Sequence, residues 1–318
     1  MRDSRKSPLL NVLLAVAVLV LAVLCFVLPE AGDRTGSGIV HIPWLSDLLA
    51  LVCITGTVVS MGLLNYSSFL FTSDAGRLYL PYLLMIIPLP GVMGLSLSHI
   101  AAFLMVWSIF FAAGYINEER IRTDYAFGAV LTAGTASVLM PCLVYAEVFI
   151  FLYCLYTRGA QSLMRYVLAS LAGAAVPWVY LAAAGFIFPV PVSLGNFLHD
   201  FRQNAALTVP SFGGMETADA VGMALILLLA LRSAVFVLLR GRERNKAQKN
   251  AFGLSVALSL VLILSAVFCG GMREPLVVMT AAVPVSFMSF DLFTNGRRTE
   301  TYIWLILLVL AAAARTVF

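Results

Sequence analysis

Glu147, Arg232, Asp291 and Arg315 are the ionisable residues that fall inside long, otherwise apolar runs of this chain. An ionisable side chain at membrane depth is costly and marks either a substrate path or a pair that fixes packing, usually with a named partner. At about 1.5 Å of rise per residue, Glu147 lies about 9 Å in from the Pro141 break, and Arg315 about 20 Å from the far end of its run. Arg232 falls near the middle of its own run, and Asp291 lies close to an edge beside Arg297 and Arg298. Glu147 with Arg232 or Arg315 is therefore the candidate buried ion pair. Arg315, near the end of its run, also suits a side chain that snorkels outward.

A second set lies at the rim. His41, His99 and His199 fall on one side of the topology drawn below, with the carboxylates Glu30, Asp33 and Asp47 on the same side. Histidine with carboxylate is the composition of proton transfer and of divalent-metal ligation. A divalent cation is the cofactor such a set would hold, although no ligand spacing names one. The bland reading is a scatter of interfacial histidines and topology-setting acids. No phosphate loop, no GxGxxG and no HExxH occurs in the chain.

The elements that must position these residues are membrane spans. Of 318 residues, 61% are hydrophobic and only 11% charged, and the mean hydropathy is +0.97. Ordinary soluble domains carry about 25% charged residues, so soluble enzymes, disordered chains and secreted disulfide scaffolds are excluded. A spanning helix needs about 20 mostly apolar residues. Such runs occur at 9–28, 48–71, 78–117, 125–156, 166–188, 220–239, 251–270, 275–293 and 301–318. The run 78–117 is double length and breaks near Pro88, Pro90 and Gly91. The run 125–156 breaks at Pro141, because proline removes a donor and clashes within a helix. Its halves form either two tilted spans or a re-entrant hairpin, and both return the chain to the same side. The expected architecture is all-α: one polytopic bundle over residues 1–318 with about 11 spans.

Charge orients it. With the N-terminus in the cytoplasm, 15 of the 20 basic residues lie inside, and only Arg34, Arg202 and Arg273 lie outside. The positive-inside rule then places Phe318 outside. The inner excess clusters at Arg240–Lys249, which reads either as contact with anionic lipid headgroups or as a topology signal alone. Nothing points to nucleic acid. The first apolar run is too long for a signal-peptide core and reads as a retained helix. The segment from Phe197 to Arg202 alternates as an amphipathic interfacial helix would. The five cysteines lie in spans without CxxC spacing and read as reduced packing residues.

Several stretches in order carry a resemblance. They are Leu63-Leu64-Asn65, Leu78-Tyr79-Leu80-Pro81-Tyr82-Leu83-Leu84 and Leu97-Ser98-His99-Ile100-Ala101-Ala102-Phe103. The run Gly134-Thr135-Ala136-Ser137 leading to Pro141 and the turn from Arg158 to Arg165 complete it. In these the chain resembles an uncharacterised family of multi-pass inner-membrane proteins of Gram-negative bacteria, which supplies no site residues. More distantly it is similar to the GT-C fold of glycosyltransferases that use polyprenyl-phosphate-linked sugars. That resemblance implies a cytoplasmic N-terminus and an outer-face carboxylate acting as general base or metal contact, the place held here by Glu30, Asp33 and Asp47. It also implies a lipid-linked donor entering from the membrane. The first outer loop here, about 19 residues, is short beside the covering loop of those enzymes.

Three functions fit these readings. The first is an enzyme or enzyme-like subunit handling a polyprenyl-linked sugar or envelope glycan at the outer face, with His41, His99 and His199 near the lipid path. The second is a transporter or flippase that uses Glu147 and Arg232 at depth. The third is a non-catalytic scaffold that assembles with other envelope proteins.

Overall fold

The computed structural model describes residues 42–68, 79–87, 89, 92, 94–117, 122–158, 163–187, 194–208, 217–240, 244–269 and 278–317. The expected first span, and with it Glu30, Asp33 and His41, lies outside the described residues. Among those described, the regular structure is helical throughout. The helices are α1 (Pro43–Ser68), α2 (Tyr79–Ile86), α3 (Leu97–Asn117), α4 (Thr123–Leu139), α5 (Val144–Arg158), α6 (Leu163–Ile187), α7 (Leu194–Ala205), α8 (Thr217–Leu239), α9 (Lys246–Phe268), α10 (Val278–Asn295) and α11 (Arg298–Val317). A single 3-10 turn, Pro141–Leu143, joins α4 to α5.

Among the described residues five segments are long and apolar enough to cross a membrane: Trp44–Leu63, Leu97–Asn117, Leu163–Ala183, Val221–Leu239 and Lys246–Phe268. Shorter apolar helices run over Pro141–Thr157 and Thr299–Ala311. The chain is a multi-pass membrane protein with an all-helical body. The proline breaks fall where the sequence places them. The run from Leu78 divides into α2 and α3, and the Pro141 run into a hairpin of α4 and α5. By length alone α4 and α5 rise about 25 and 22 Å, short of a hydrocarbon core of about 30 Å.

Hydrogen bonds fix which helix ends lie together. Asn117 Nδ2, at the end of α3, donates to Ala247 O at the start of α9 (3.2 Å), and Asn250 Nδ2 donates to Asn117 Oδ1 (3.0 Å). This end also holds Arg240, Arg244 and Arg297 and is called the basic end. At the opposite end, Tyr145 Oη donates to Ala205 O (2.8 Å) and the Thr208 N–H donates to Phe268 O (2.7 Å). These bonds seat α7 against the Pro141 turn and the end of α9. The segment read as amphipathic is thus a helix, with Phe201 edge-on to Trp178 at 5.0 Å.

Helix α10 is the axis of the bundle. Every residue from Val278 to Phe293 is buried, and α2, α3, α8 and α9 pack around it. Pro284 sits inside it and Pro177 inside α6, as neighbouring helices permit in membranes. Elsewhere small residues let helices close up, the usual basis of packing in lipid. A Cβ on Gly173 of α6 would lie 2.7 Å from the Phe127 backbone oxygen of α4. Gly128 faces Phe111 at 3.0 Å in the same sense, within a cluster of Trp107, Phe110, Phe111 and Tyr125. Cys53, Cys142, Cys154 and Cys269 are not joined in disulfides.

Candidate functional site

The described ionisable residues at depth separate into three environments, with Glu147 and Arg232 in different ones. Glu147, in the first turn of α5, faces α4. Its Oε2 lies 2.7 Å from Ser137 Oγ. Arg232 is elsewhere: it stands seven residues before the end of α8, about 10 Å from the basic end. Its guanidinium holds Glu300 of α11 through Nε–Oε1 at 2.6 Å and Nη2–Oε2 at 3.0 Å. The expected Glu147–Arg232 pair is therefore replaced by Arg232–Glu300. Sequence depth gives the height of a residue along its helix but not its bearing around the bundle. The side chain of Arg315 lies outside those described.

Asp291 is not a solvated headgroup contact. It pairs with Arg244, and Asn295 Nδ2 donates to its other oxygen at 3.0 Å. The side chains of Arg244 and Asp291 are only 9% and 8% exposed. The Arg244 guanidinium also stacks over Phe252, 4.1 Å from the ring centre. This is a buried structural lock between α10 and the start of α9. Asn245 starts α9 there by accepting the Gln248 N–H at 2.8 Å, an N-cap that carries the helix out into the polar Lys246–Asn250 stretch.

Beside that lock opens a cleft of about 500 Å³, lined by Arg232, Phe236 and Arg240 of α8 and by Asn295, Gly296, Arg297 and Glu300. Arg240 Nη1 donates to Asn295 O at 3.2 Å, and its guanidinium lies over Phe236 at 5.3 Å. Gly296 closes α10 with its N–H on Leu292 O at 2.7 Å, and a Cβ there would collide with that oxygen. The tight turn puts Arg297 and Glu300 opposite α8. Among the described residues, three guanidinium groups and one carboxylate line this cleft, and Arg232 holds the carboxylate. Small-molecule sites run to about 300–1,000 Å³, and the planar guanidinium fork matches phosphate and carboxylate oxygens two at a time. What the arrangement can do is bind an anion in an open, mostly polar cleft beside Phe236. Near the same end Arg122 binds Asp124 at 2.7 Å and holds that exposed carboxyl below its usual range.

The rim at the opposite end is arranged differently. Asp47 is in the first turns of α1, next to Ser46, whose Oγ accepts the Leu95 N–H at 2.9 Å. That bond brings the start of α1 to the loop before α3, where His99 stands. His99 is 1% exposed and fully engaged. Its Nδ1 accepts the Ser96 N–H at 3.2 Å and lies 2.9 Å from Ser96 Oγ, while Nε2 lies 2.9 Å from Val92 O. A ring whose Nδ1 is an acceptor carries its proton on Nε2 and donates to Val92. His99 is thus a staple between α3 and its preceding loop. His199 is exposed on α7, 3.4 Å from Gln203 Nε2, on the side of the bundle where α7 meets the Pro141 turn. Among the described residues no group of three His, Cys, Asp or Glu side chains converges to hold a metal ion. Asp47 and His99 share an end of the bundle.

Glu300, Arg240 and Arg297 are the site residues that reading by depth passes over. The available signal was the string Asn295-Gly296-Arg297-Arg298 followed by Glu300, a tight turn that sets a carboxylate in the first turn of a helix among arginines. No protein-family model, curated protein or solved structure matches the chain.

Proposed function

We propose that this protein binds a phosphate-bearing lipid by its headgroup, in the cleft between α8 and the α10–α11 turn, with the acyl or polyprenyl chain lying along the bundle. One observation carries the reading: Arg232, Arg240 and Arg297 line one cleft of about 500 Å³ in which, among the described residues, Glu300 is the sole carboxylate. A lipid phosphate would take the place of that carboxylate on the forks of Arg232 and its neighbours.

The location is a bacterial inner membrane with the basic end cytoplasmic. The support is the 15 basic residues that a cytoplasmic N-terminus gathers on one side. The anionic surface of that leaflet would add to headgroup attraction. Polyprenyl-phosphate-linked sugars, the donors of the GT-C enzymes that the chain resembles, have the required chemistry. In that setting Glu30, Asp33 and Asp47 remain the candidates for a step at the other face, and other envelope proteins the candidate partners.

The test is lipid retention by the full-length protein in mild detergent, read by native mass spectrometry. Phosphatidylcholine, phosphatidylglycerol and a short-chain polyprenyl phosphate are added in turn. The expected result is retention of the two anionic lipids and a loss of about tenfold or more in R240A/R297A, the scale of one hydrogen bond to a charged group. Preference for polyprenyl phosphate over phosphatidylglycerol would assign the lipid-linked class. Equal retention of all three lipids by the wild type and the variant overturns the proposal.

A further inference from the structure

Ser137 poses a proton-counting problem. Its hydroxyl oxygen lies 2.9 Å from Gly134 O and 2.7 Å from Glu147 Oε2. A serine hydroxyl has one hydrogen to give and lone pairs to receive. A carbonyl oxygen accepts only, and so does an ionised carboxylate. If Glu147 is ionised, one of these two short contacts is acceptor against acceptor. If Glu147 carries a proton, both are hydrogen bonds: the carboxyl O–H donates to Ser137 Oγ, and the Ser137 O–H donates to Gly134 O.

The surroundings agree with the second arrangement. Gly134 leaves the carboxyl its place, since a Cβ there would stand 3.1 Å from Glu147 Oε1 and 3.7 Å from the Pro177 ring. Among the described residues no cation pairs with Glu147, and no backbone N–H of α5 donates to it. Toward Glu147's own end lie His99 of α3, whose ring nitrogens are bonded to Ser96 and Val92, Tyr145 of α5, which donates to Ala205 O, and Cys269, whose thiol is turned to Ala205 O. Asp124 of α4, Arg165 and Tyr166 of α6, and Lys246 and Lys249 of α9 are toward the basic end. Cys142 in the turn and Tyr115 of α3 make no bond to the carboxyl. An ionised carboxylate half-buried between helices at membrane depth, without a counter-charge, is the costly alternative.

We propose that Glu147 is an intramembrane proton-binding site: a neutral carboxyl, bonded through Ser137 to the backbone of α4, at the break between α4 and α5. Releasing that proton turns the Glu147–Ser137–Gly134 chain into a frustrated one, because the serine must then choose between two acceptors. The site links proton occupancy to the contact between the two halves of the hairpin. It is independent of the arginine cleft.

Infrared difference spectroscopy on the full-length protein in lipid tests it. At neutral pH the wild type should show a protonated-carboxyl stretch that E147Q lacks. In S137A the band should persist at higher frequency, its hydrogen-bond acceptor gone. A second measurement needs no variant. Dicyclohexylcarbodiimide reacts with carboxylic acids: the acid O–H adds across one C=N bond, oxygen to carbon and hydrogen to nitrogen, and nothing leaves. Peptide mass mapping at neutral pH should find the adduct on Glu147 and not on Asp124 or Glu300. A neutral-pH spectrum unchanged by E147Q, together with no adduct on Glu147, overturns the proposal. A band that S137A leaves unmoved also overturns it, since the proton would then not be shared with Ser137.

Discussion

Arg232 of α8 grips Glu300 of α11 with both arms of its guanidinium, at 2.6 and 3.0 Å. The two residues stand 68 positions apart. Their pair closes one wall of the cleft and also fills part of it, so Glu300 occupies a position that an incoming anion would need. The side chains are 38% and 23% exposed, so water and salt reach them.

The first prediction follows from that partial exposure. E300Q removes the internal anion while keeping its shape. Retention of phosphatidylglycerol by the purified protein should rise, and R232A should lower it. Stability should change little in E300Q, by about 1 kcal/mol or less, the scale of an exposed pair. Thermal unfolding in detergent at low and high salt checks this, because the pair's share should fade as salt screens it. A large, salt-independent loss of stability in E300Q would mean that the pair is structural and not a displaceable occupant.

Arg244 and Asp291 should behave in the opposite way. Both are nearly closed to solvent, and Asp291 also takes a bond from Asn295. Removing one partner of a buried pair costs about 3–5 kcal/mol, because the other charge stays behind. D291A should therefore lower the unfolding temperature far more than E300Q, and D291A/R244M less than D291A alone. Equal unfolding temperatures for D291A and the wild type would overturn the assignment of this pair as a lock.

The contrast between these pairs shows what the sequence can disclose. Some helix limits were legible because Pro141 and the polar turns interrupt apolar runs, and the run from Leu78 ends one helix at Ile86 and starts the next at Leu97. The amphipathic α7 was legible because its surroundings are part water and part protein. The burial of α10 was not. In water a buried helix differs from an exposed one in polarity, but in lipid both faces are apolar, and Val278–Phe293 reads like any span. The partners of Arg232 and Asp291 were hidden for a related reason. A long arginine stem reaches about a turn or two along its helix, so height along the sequence does not select Glu300 over Glu147. Of the candidate site residues, Asp47 and His99 lie at one end of the bundle, where Ser46 bonds the loop before α3. The engagement of His99 with Val92 and Ser96 depends on a loop conformation that no spacing rule encodes.

Gly173 gives a prediction about packing. A side chain there would meet the Phe127 oxygen at 2.7 Å, and that oxygen belongs to a helix backbone that cannot swing aside. G173V should push α6 from α4 and destabilise the protein by about 1–3 kcal/mol, the cost of overpacking. Gly222 in α8 has open space where its Cβ would be, so G222A should be neutral or slightly stabilising. Thermal unfolding of the two variants side by side checks this. Equal effects would show that α4 and α6 are not in the close contact described.

His99 offers the sharpest separation between a chemical and a structural histidine at this end of the bundle. A metal ligand or proton shuttle needs a ring nitrogen free to meet its partner, and both nitrogens here are spent on Ser96 and Val92. H99A would leave the Val92 carbonyl without its donor in a buried setting, a loss of about 1–3 kcal/mol. H99Q should recover part of it, because an amide donor of similar reach can return to that carbonyl. Adding zinc or manganese should leave the unfolding temperature of the wild type where it was, since a ligand that binds the folded state would raise it. A metal-dependent rise that H99A abolishes would overturn the staple and restore His99 to the chemistry of the rim.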